Sequence, residues 1–255
     1  MLLAIDIGNT STAFGVFEER RLCATWSIAT EQRRSADEIG VLLHELFRHE
    51  GLDHRSVHAV IVSSVVPALA DTTRHLARRY FEKDPIFVGP GMRTGLPIRV
   101  DNPKEVGADR IVNAVAAFDL VHGPCIVVDL GTATTFDVVT SDGAYVGGVI
   151  APGWQISADA LFQRASKLPR VELSEPTSVI GRNTVMSMQS GLFHGYIAMV
   201  DGLCRRIREE MDSDSTTILA TGGLSERLIG VSEEISRHEP NLTLHGLRLL
   251  WERQK

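Results

Sequence analysis

The chain has 255 residues, which is enough for one large hydrophobic core or for two compact lobes. Its hydrophobic content of 44% and charged content of 23% are those of an ordinary globular protein. The net charge of −6 and the scattered Lys and Arg residues give no support for nucleic-acid binding, and no apolar run is long enough to cross a membrane.

The three cysteines indicate a reducing environment. Cys23, Cys125 and Cys204 lie far apart in sequence, and none has the spacing of a zinc site or a disulfide framework. We expect all three to be buried free thiols. The N-terminus runs directly into an apolar strand pattern without a basic leader, so the expected location is the cytoplasm.

The first 90 residues predict three strands, a helix, a strand, a second helix and a short strand. Residues 3–15 form an apolar run, then Asp6, Gly8, Asn9 and Thr10, then a second apolar run, which is typical of a strand, a tight turn and a paired strand. A third strand follows at 21–29. The predicted order then continues with a helix opened by a capping box at 35–38, a strand at 59–65, a helix from Pro67 and a short strand at 85–88.

Two features follow whose function the residues alone leave open. Residues 89–103 are rich in Gly and Pro and fit either a plain linker between lobes or a loop that lines a cleft. Asp109 and Arg110 then head a predicted helix. Asp109 is interpreted either as an N-cap beside a surface Arg110, the simpler reading, or as a general base beside a cation that orients an anionic substrate.

The pattern of the N-terminus is repeated in the second half. Residues 127–137 again place an apolar run before Asp129, Gly131, Thr132 and Ala133, and a third strand is predicted at 143–151. A later strand at 216–223 corresponds to the one at 59–65. One Asp-x-Gly motif alone fits an ordinary hairpin, but two copies followed by matching strands predict a duplicated lobe.

The remaining C-terminal elements are helical. A cluster of glycines at 147–153 indicates a close backbone approach, and an exposed loop is predicted at 164–176. A long helix starts near Asn183 or Thr184, and its Gly191 and Gly195 predict tight helix packing, with a second subunit as one candidate partner. The segment 244–251 is predicted to be a helix, and the nine histidines have no metal-ligand spacing.

The duplicated loops predict the class of fold and its chemistry. Glycine lets a backbone approach a ligand closely, amides beside small side chains can bind phosphate, and a strand-end carboxylate suits a cation. We therefore predict an α/β protein with the duplicated actin-like, ribonuclease-H-like ATPase fold, with lobes at 1–105 and 106–255 and a nucleotide cleft between them. No P-loop motif is present.

The motifs, taken together and in order, resemble one family, the type III pantothenate kinases. The matching segments span nearly the whole chain: 6–10, 107–110, 129–134, 147–153, 181–184 and 221–223. The resemblance implies ATP-dependent phosphorylation of pantothenate in the first step of coenzyme A biosynthesis. It also implies a homodimer with its substrate pocket near the subunit interface.

The resemblance further implies the residues that bind ATP and its ions. Asp6 would lie near Mg²⁺, and Asp129 would hold a monovalent cation, K⁺ or NH₄⁺. The residues expected to contact ATP are Asp6, Ile7, Gly8, Asn9, Thr10, Ser11, Thr12, Ala13 and Thr132.

The pantothenate site is implied in the same way. Gly107, Ala108, Asp109 and Arg110 would contact pantothenate, with Asp109 as the general base and Arg110 at the substrate carboxylate, and Thr184 would also contact substrate. Many members of the family have Tyr where this chain has Val100, which puts that one side-chain contact in doubt.

Two alternatives to a pantothenate kinase are a small hydrolase of the same fold that uses water as acceptor, and a catalytically silent binding protein. The presence of Asp6, Asp109 and Asp129 argues against the silent protein. ADP release that does not depend on pantothenate would favour the hydrolase.

Overall fold

The fold consists of two five-stranded mixed sheets flanked by helices, and a computed structural model describes residues 1–255. The elements of the first half are β1 (Leu2–Ile7), β2 (Ser11–Glu18), β3 (Arg21–Ala29), α1 (Ala36–His49), β4 (Ala59–Ser64), α2 (Ala70–Phe81) and β5 (Ile86–Phe87). Those of the second half are α3 (Ala108–Val121), β6 (Cys125–Leu130), β7 (Ala133–Val139), β8 (Tyr145–Pro152), α4 (Trp154–Arg164), α5 (Thr184–Glu210), β9 (Thr217–Thr221), β10 (Arg237–His238) and α6 (Leu242–Glu252).

The two sheets have the same topology. The strand order is β3-β2-β1-β4-β5 in the first and β8-β7-β6-β9-β10 in the second. In each sheet the central strand pairs antiparallel with the next strand in sequence and parallel with the fourth strand of its half, β4 in the first and β9 in the second. The predicted fold class and the predicted repeat are confirmed, although the two-residue β10 was not predicted.

The chain forms two compact units, which are described separately. The first comprises residues 1–97, 101–116 and 241–255, and the second comprises residues 98–100 and 117–240. Helix α6 belongs to the first unit because it packs on β1 and because Gly246 lies against α3: a Cβ there would be 2.3 Å from the carbonyl oxygen of Val112. The division into lobes at residue 105 stays a prediction.

In the first unit, α1 begins where its capping box predicts. Ser35 Oγ accepts a hydrogen bond from the Glu38 amide at 3.2 Å, and Glu38 accepts one from the Ser35 amide at 2.7 Å. Its apolar face buries Leu43 and Phe47 in the core of the first unit, whereas the neighbouring Leu42 is 36% exposed. Pro67 begins a short 3₁₀ turn, and α2 itself starts at Ala70.

The cysteines differ in burial. Burial in the second unit raises the pKa of both the Cys125 and the Cys204 thiols to about 12, so both are inert at neutral pH. Cys23 is a free thiol but is only half-buried, because β3 is the edge strand of its sheet. The expectation of burial is therefore wrong for Cys23. None of the helices combines the length and apolarity needed to span a membrane.

Candidate active site

The first Asp-x-Gly motif forms the turn between β1 and β2. Asp6 is half-buried near the carboxyl end of β1, in register with Ala13 of β2 and Ser63 of β4. The Gly8 amide donates to the carbonyl of Ser11 at 3.0 Å, and a Cβ on Gly8 would also lie 3.0 Å from that oxygen. Glycine at this position therefore keeps the turn tight.

The eight residues of this segment that are expected to bind ATP, 6–13, do not all present side chains to solvent. Asn9, Thr10 and Ser11 are exposed, whereas Ile7 is buried in the core of the first unit. Thr12 is buried, and its hydroxyl is 2.8 Å from that of Thr30. A ligand at this turn would therefore meet the side chains of residues 9–11 and, elsewhere, mainly backbone groups.

Asp109 lies in the first turn of α3 and is not its N-cap. The helix begins at Ala108, one residue before Asp109, and both Asp109 and Arg110 are half-buried. The interpretation as an N-cap beside a surface arginine is therefore wrong. Asp109 Oδ1 accepts a hydrogen bond from the Arg110 amide at 2.9 Å. A Cβ on Gly107 would lie 2.5 Å from the same oxygen, so glycine leaves room for the carboxylate.

The environment of Asp109 alters its acidity. Burial raises the pKa of the carboxyl above its usual value, and the hydrogen bond and charge of Arg110 only partly offset this effect. A carboxylate with a raised pKa binds a proton more strongly than an ordinary one. It is therefore better suited to accept a proton from a substrate.

The second Asp-x-Gly motif forms the turn between β6 and β7. Asp129 is half-buried and in register with Thr135 of β7 and Thr221 of β9. A Cβ on Gly222, which follows β9, would lie 2.5 Å from Asp129 Oδ1. Gly222 has φ of +89°, a conformation that favours glycine, so the turn after β9 lies directly against the Asp129 carboxylate.

Gly153 supports the same turn from the other side. A Cβ on Gly153 would lie 2.2 Å from the carbonyl oxygen of Thr132 and 2.7 Å from that of Gly131. The N-terminus of α4 therefore packs directly on the backbone of the turn that contains Thr132. Thr132 itself is exposed, as a residue expected to contact ATP should be.

The second unit also contains buried polar pairs, on the strands that follow the turn between β6 and β7, that sequence reasoning missed. The hydroxyls of Thr134 and Tyr196 are 2.7 Å apart, and Tyr145 donates to Asp137 at 3.0 Å. Burial raises the pKa of Tyr196, with a smaller contribution from the negative charge of Asp129. Strand alternation could have shown that Thr134 points inward, but only the fold brings Tyr196 to it.

Thr184 is the first residue of α5, and Asn183 is the cap. Asn183 Oδ1 accepts a hydrogen bond from the Met186 amide at 2.9 Å, while Thr184 is exposed. A Cβ on Gly181 would lie 2.3 Å from the Ser187 amide nitrogen, so the chain enters the helix by a tight turn. The Thr184 side chain is therefore not needed for capping.

Part of the glycine-rich segment 89–103 is fixed on the second sheet. Ile98 forms a parallel bridge with Tyr145, and the Arg99 amide donates to the Tyr145 carbonyl at 2.8 Å. Val100 lies beside Gly147, where a Cβ would be 3.7 Å from Val100 Cγ1. These contacts make residues 98–100 part of the second unit and not a free linker.

The donor groups fit the ions that the family resemblance implies. No three His, Cys, Asp or Glu side chains form a group that could hold a metal ion. Mg²⁺ in phosphotransferases is commonly held by one or two carboxylates, water and the substrate phosphates, so a single half-buried Asp6 is an adequate protein ligand. Asp129, beside exposed turn backbone, offers the oxygen ligands that a monovalent cation also takes.

The structure distributes the predicted site residues over the two units. The segments 6–13 and 107–110 lie in the first, and Asp129, Thr132 and Thr184 lie in the second. Duplicated sheets with an acidic residue near the end of each central strand define the actin-like, sugar-kinase-like ATPase fold.

Solved structures agree with this class of fold. The chain is similar to a Baf-family protein from Campylobacter jejuni, with a TM-score of 0.60 and 17% identity, covering 99% of this chain and 98% of that one. It is also similar to an inorganic polyphosphate/ATP-glucomannokinase from Arthrobacter, with a TM-score of 0.51 and 14% identity, covering 100% and 99%. Identities this low support the fold alone.

The chain belongs to the type III pantothenate kinase family. The sequence model of that family matches residues 2–206. A type III pantothenate kinase from Myxococcus xanthus is 54% identical, covering 99% of this chain and 98% of that protein. One from Anaeromyxobacter dehalogenans is 52% identical over 100% of both. The family resemblance drawn from the motifs is confirmed.

Proposed function

We propose that this protein transfers the γ-phosphoryl group of ATP to the primary hydroxyl of pantothenate. The product is 4'-phosphopantothenate, and the step is the first of coenzyme A biosynthesis. Membership of the family supports the reaction. The observation that supports the mechanism is Asp109, a half-buried carboxyl with a raised pKa at the start of α3.

In the proposed step, Asp109 accepts the proton of the substrate hydroxyl as the hydroxyl oxygen attacks the γ-phosphorus. The bond between that phosphorus and the bridging oxygen of ADP breaks, and ADP leaves. Phosphoryl transfer requires mainly positioning and charge neutralisation from the protein, so one well-placed base is sufficient. Arg110, adjacent to Asp109, is proposed to bind the carboxylate of pantothenate.

The residues proposed to position the other groups follow from the two turns. The turn at 6–13 and Thr132 would contact ATP, and Thr184 and Gly107 to Arg110 would contact pantothenate. Asp6 would hold Mg²⁺, which neutralises charge on the phosphates when it is bound. Asp129 would hold K⁺ or NH₄⁺. Since ATP and reduced thiols belong to the cytoplasm, we propose that location for the protein.

The test is ADP release with ATP and Mg²⁺, measured with and without pantothenate, in potassium and in sodium buffer. The proposal expects turnover that requires pantothenate and is faster in potassium. ADP release without pantothenate would instead indicate a hydrolase. A protein that releases no ADP under any condition would be the silent binding protein.

We also propose that the protein is a homodimer that uses one face of α5. A Cβ on Gly191, Gly195 or Gly202 would meet no atom within 4 Å outside the backbone of its own helix, and Ala198 between them is exposed. The four positions follow one another at intervals of four, three and four residues, so they share one face of the helix. Small residues on an exposed face allow two helices to approach closely.

Exposed apolar side chains beside the start of α5 support the same proposal. Ile180 is 81% exposed, Val179 is 67% exposed and Val185 is 42% exposed. Adjacent exposed apolar residues of this kind indicate a surface that is covered in an assembly. A second copy of the chain is the occupant that the family resemblance implies.

Sedimentation of the purified protein tests the dimer. We expect a mass near twice 27.9 kDa for the native chain and near 27.9 kDa for Gly195→Arg. Glu210→Arg, at the exposed end of the same helix, controls for added positive charge and should stay dimeric. A native monomer, or a Gly195→Arg dimer as tight as the native one, would contradict the interface.

A further inference from the structure

We propose that His238 and Ser225 position the turn after β9 against Asp129 and so set how well the second unit binds its cation. The inference rests on the proposed role of Asp129. It concerns two residues that no motif of the sequence points to. Neither touches the ligand in this proposal, and both act through the backbone of Gly222.

Ser225 fixes the carbonyl of Gly222. Its hydroxyl donates to that oxygen at 2.6 Å, and its amide donates to the same oxygen at 3.1 Å. Ser225 is 2% exposed, so both bonds are shielded from water. A hydrogen bond shielded in this way has few competitors and fixes a peptide unit well.

The residue whose carbonyl Ser225 holds is also the one that packs on Asp129. A Cβ on Gly222 would lie 2.5 Å from Asp129 Oδ1 and 2.7 Å from the Leu130 amide nitrogen. Leu224, two residues after Gly222, adds a hydrogen bond to the same strand end, because its amide donates to the Leu130 carbonyl at 3.3 Å. The peptide between Gly222 and Gly223 is trans and planar, so its amide N–H points away from its carbonyl. Fixing the Gly222 carbonyl therefore also fixes the orientation of the Gly223 amide. Gly223 is exposed, with open space around it.

His238 completes the arrangement. Its Nε2 lies 2.9 Å from Ser225 Oγ. The hydroxyl has one proton, and the Gly222 carbonyl can only accept, so that proton lies between Ser225 and Gly222. Ser225 Oγ must then accept from His238, which requires a proton on Nε2. The geometry therefore assigns the Nε2–H tautomer to neutral His238.

The two-residue strand β10 holds His238 in place. His238 is in register with Ala220 of β9, and the next amide, that of Glu239, donates to the Ala220 carbonyl at 2.9 Å. This short pairing holds the imidazole beside the turn that follows β9. The chain of contacts therefore runs from His238 to Ser225, from Ser225 to Gly222, and from Gly222 to Asp129.

The first test is nitrogen-15 NMR of histidine-labelled protein, with the His238 signal identified by its loss in His238→Gln. We expect the Nε2–H tautomer at a pH where the ring is neutral. A ring protonated on Nδ1 would overturn the proposal. This measurement does not depend on any enzymatic activity.

The second test compares Ser225→Ala with Ser236→Ala. The exposed Ser236 bonds β9 through its hydroxyl, to Ile218 at 3.0 Å, at the opposite end of the strand from Asp129, so it controls for the loss of a serine hydroxyl elsewhere on the same strand. We expect Ser225→Ala to raise both the amide exchange rate of residues 222–225 and the K⁺ concentration for half-maximal thermal stabilisation, each by about two- to tenfold, the range for one hydrogen bond. Ser236→Ala should leave both unchanged, and equal effects of the two variants would overturn the proposal.

His238 variants separate positioning from folding. His238→Leu should need as high a K⁺ concentration for half-maximal stabilisation as Ser225→Ala does. His238→Gln has an amide nitrogen that can donate near the position of Nε2, so its K⁺ requirement should be close to that of the native protein. If native turnover and stability are the same in potassium and sodium, the cation role of Asp129 fails. The tautomer and the exchange rates of residues 222–225 would then still decide whether His238 and Ser225 fix this turn.

Discussion

Replacing Asp109 with Asn tests the proposed general base most directly. The substitution removes the proton acceptor but keeps the shape of the side chain and an oxygen that can accept the 2.9 Å hydrogen bond from the Arg110 amide. We therefore expect both substrates to bind with nearly native KM. Loss of a general base lowers kcat by about a hundredfold to ten-thousandfold, which corresponds to roughly 3–5 kcal/mol of transition-state stabilisation.

The same variant should be more stable than the native protein at neutral pH. Burial raises the pKa of Asp109 in the folded state, so the folded protein holds the ionised carboxyl less favourably than the unfolded chain does. The contribution of the Asp109 carboxyl to stability is fully present below the pKa that it has in the unfolded chain. That contribution is lost as the pH rises through the higher pKa of the folded protein. Asn cannot ionise, so its Tm advantage should appear at neutral pH and vanish in acid.

The assays are coupled ADP release and thermal unfolding at the two pH values. Asp119→Asn is the matched control, because Asp119 lies on the same helix but is exposed. It should leave kcat and Tm nearly native. Turnover of Asp109→Asn within a few-fold of native would refute the base assignment, and a lower Tm at neutral pH would refute the electrostatic reasoning.

Three further predictions follow from the turns and the caps. Gly153→Ala places a Cβ 2.2 Å from the Thr132 carbonyl oxygen. It should lower the free energy of unfolding, measured by denaturant titration, by about 1–3 kcal/mol. It should also raise the KM for ATP, measured by steady-state kinetics. Ser35→Ala removes a capping box and should cost about 0.5–2 kcal/mol of stability with unchanged kinetics; altered kinetics would contradict a purely structural role. Asp129→Asn should abolish the difference in turnover between potassium and sodium buffers, and a difference that persists would move the cation site elsewhere.

Local sequence signals were sufficient where a short stretch determines its own structure. The Ser35 capping box placed the start of α1, and the two Asp-x-Gly motifs with their flanking strands indicated the duplicated sheets. These features depend on backbone hydrogen bonds between residues close in sequence, or on alternation along a strand. Such patterns are visible without knowledge of tertiary contacts.

Tertiary burial was the information that the sequence lacked. The alternatives for Asp109 differed in how deeply the start of α3 is buried, and its raised pKa comes from that burial. Strand β10 has two residues, too few for any periodicity, so the contact of His238 with Ser225 could not be predicted. Cys23 was expected to be buried because its strand is apolar, but an edge strand covers its side chains less completely.

The two duplicated turns differ in length, and this difference fits the roles proposed for them. Ile7 pairs with Thr12 in the first hairpin, whereas Leu130 pairs with Thr134 in the second, so the first turn is one residue longer. The longer turn exposes three successive residues, 9–11, whose small polar side chains leave backbone amides accessible to phosphate.

The shorter turn is confined on both sides. Gly153 packs on its carbonyls, and Gly222 packs on the Asp129 carboxylate beside it. A side chain at either position would displace neighbouring atoms, so the two glycines allow close packing on this turn. The two hairpins thus share one pattern but differ in use: the longer presents three exposed residues to the phosphates, and the shorter combines the proposed cation ligand Asp129 with the exposed Thr132.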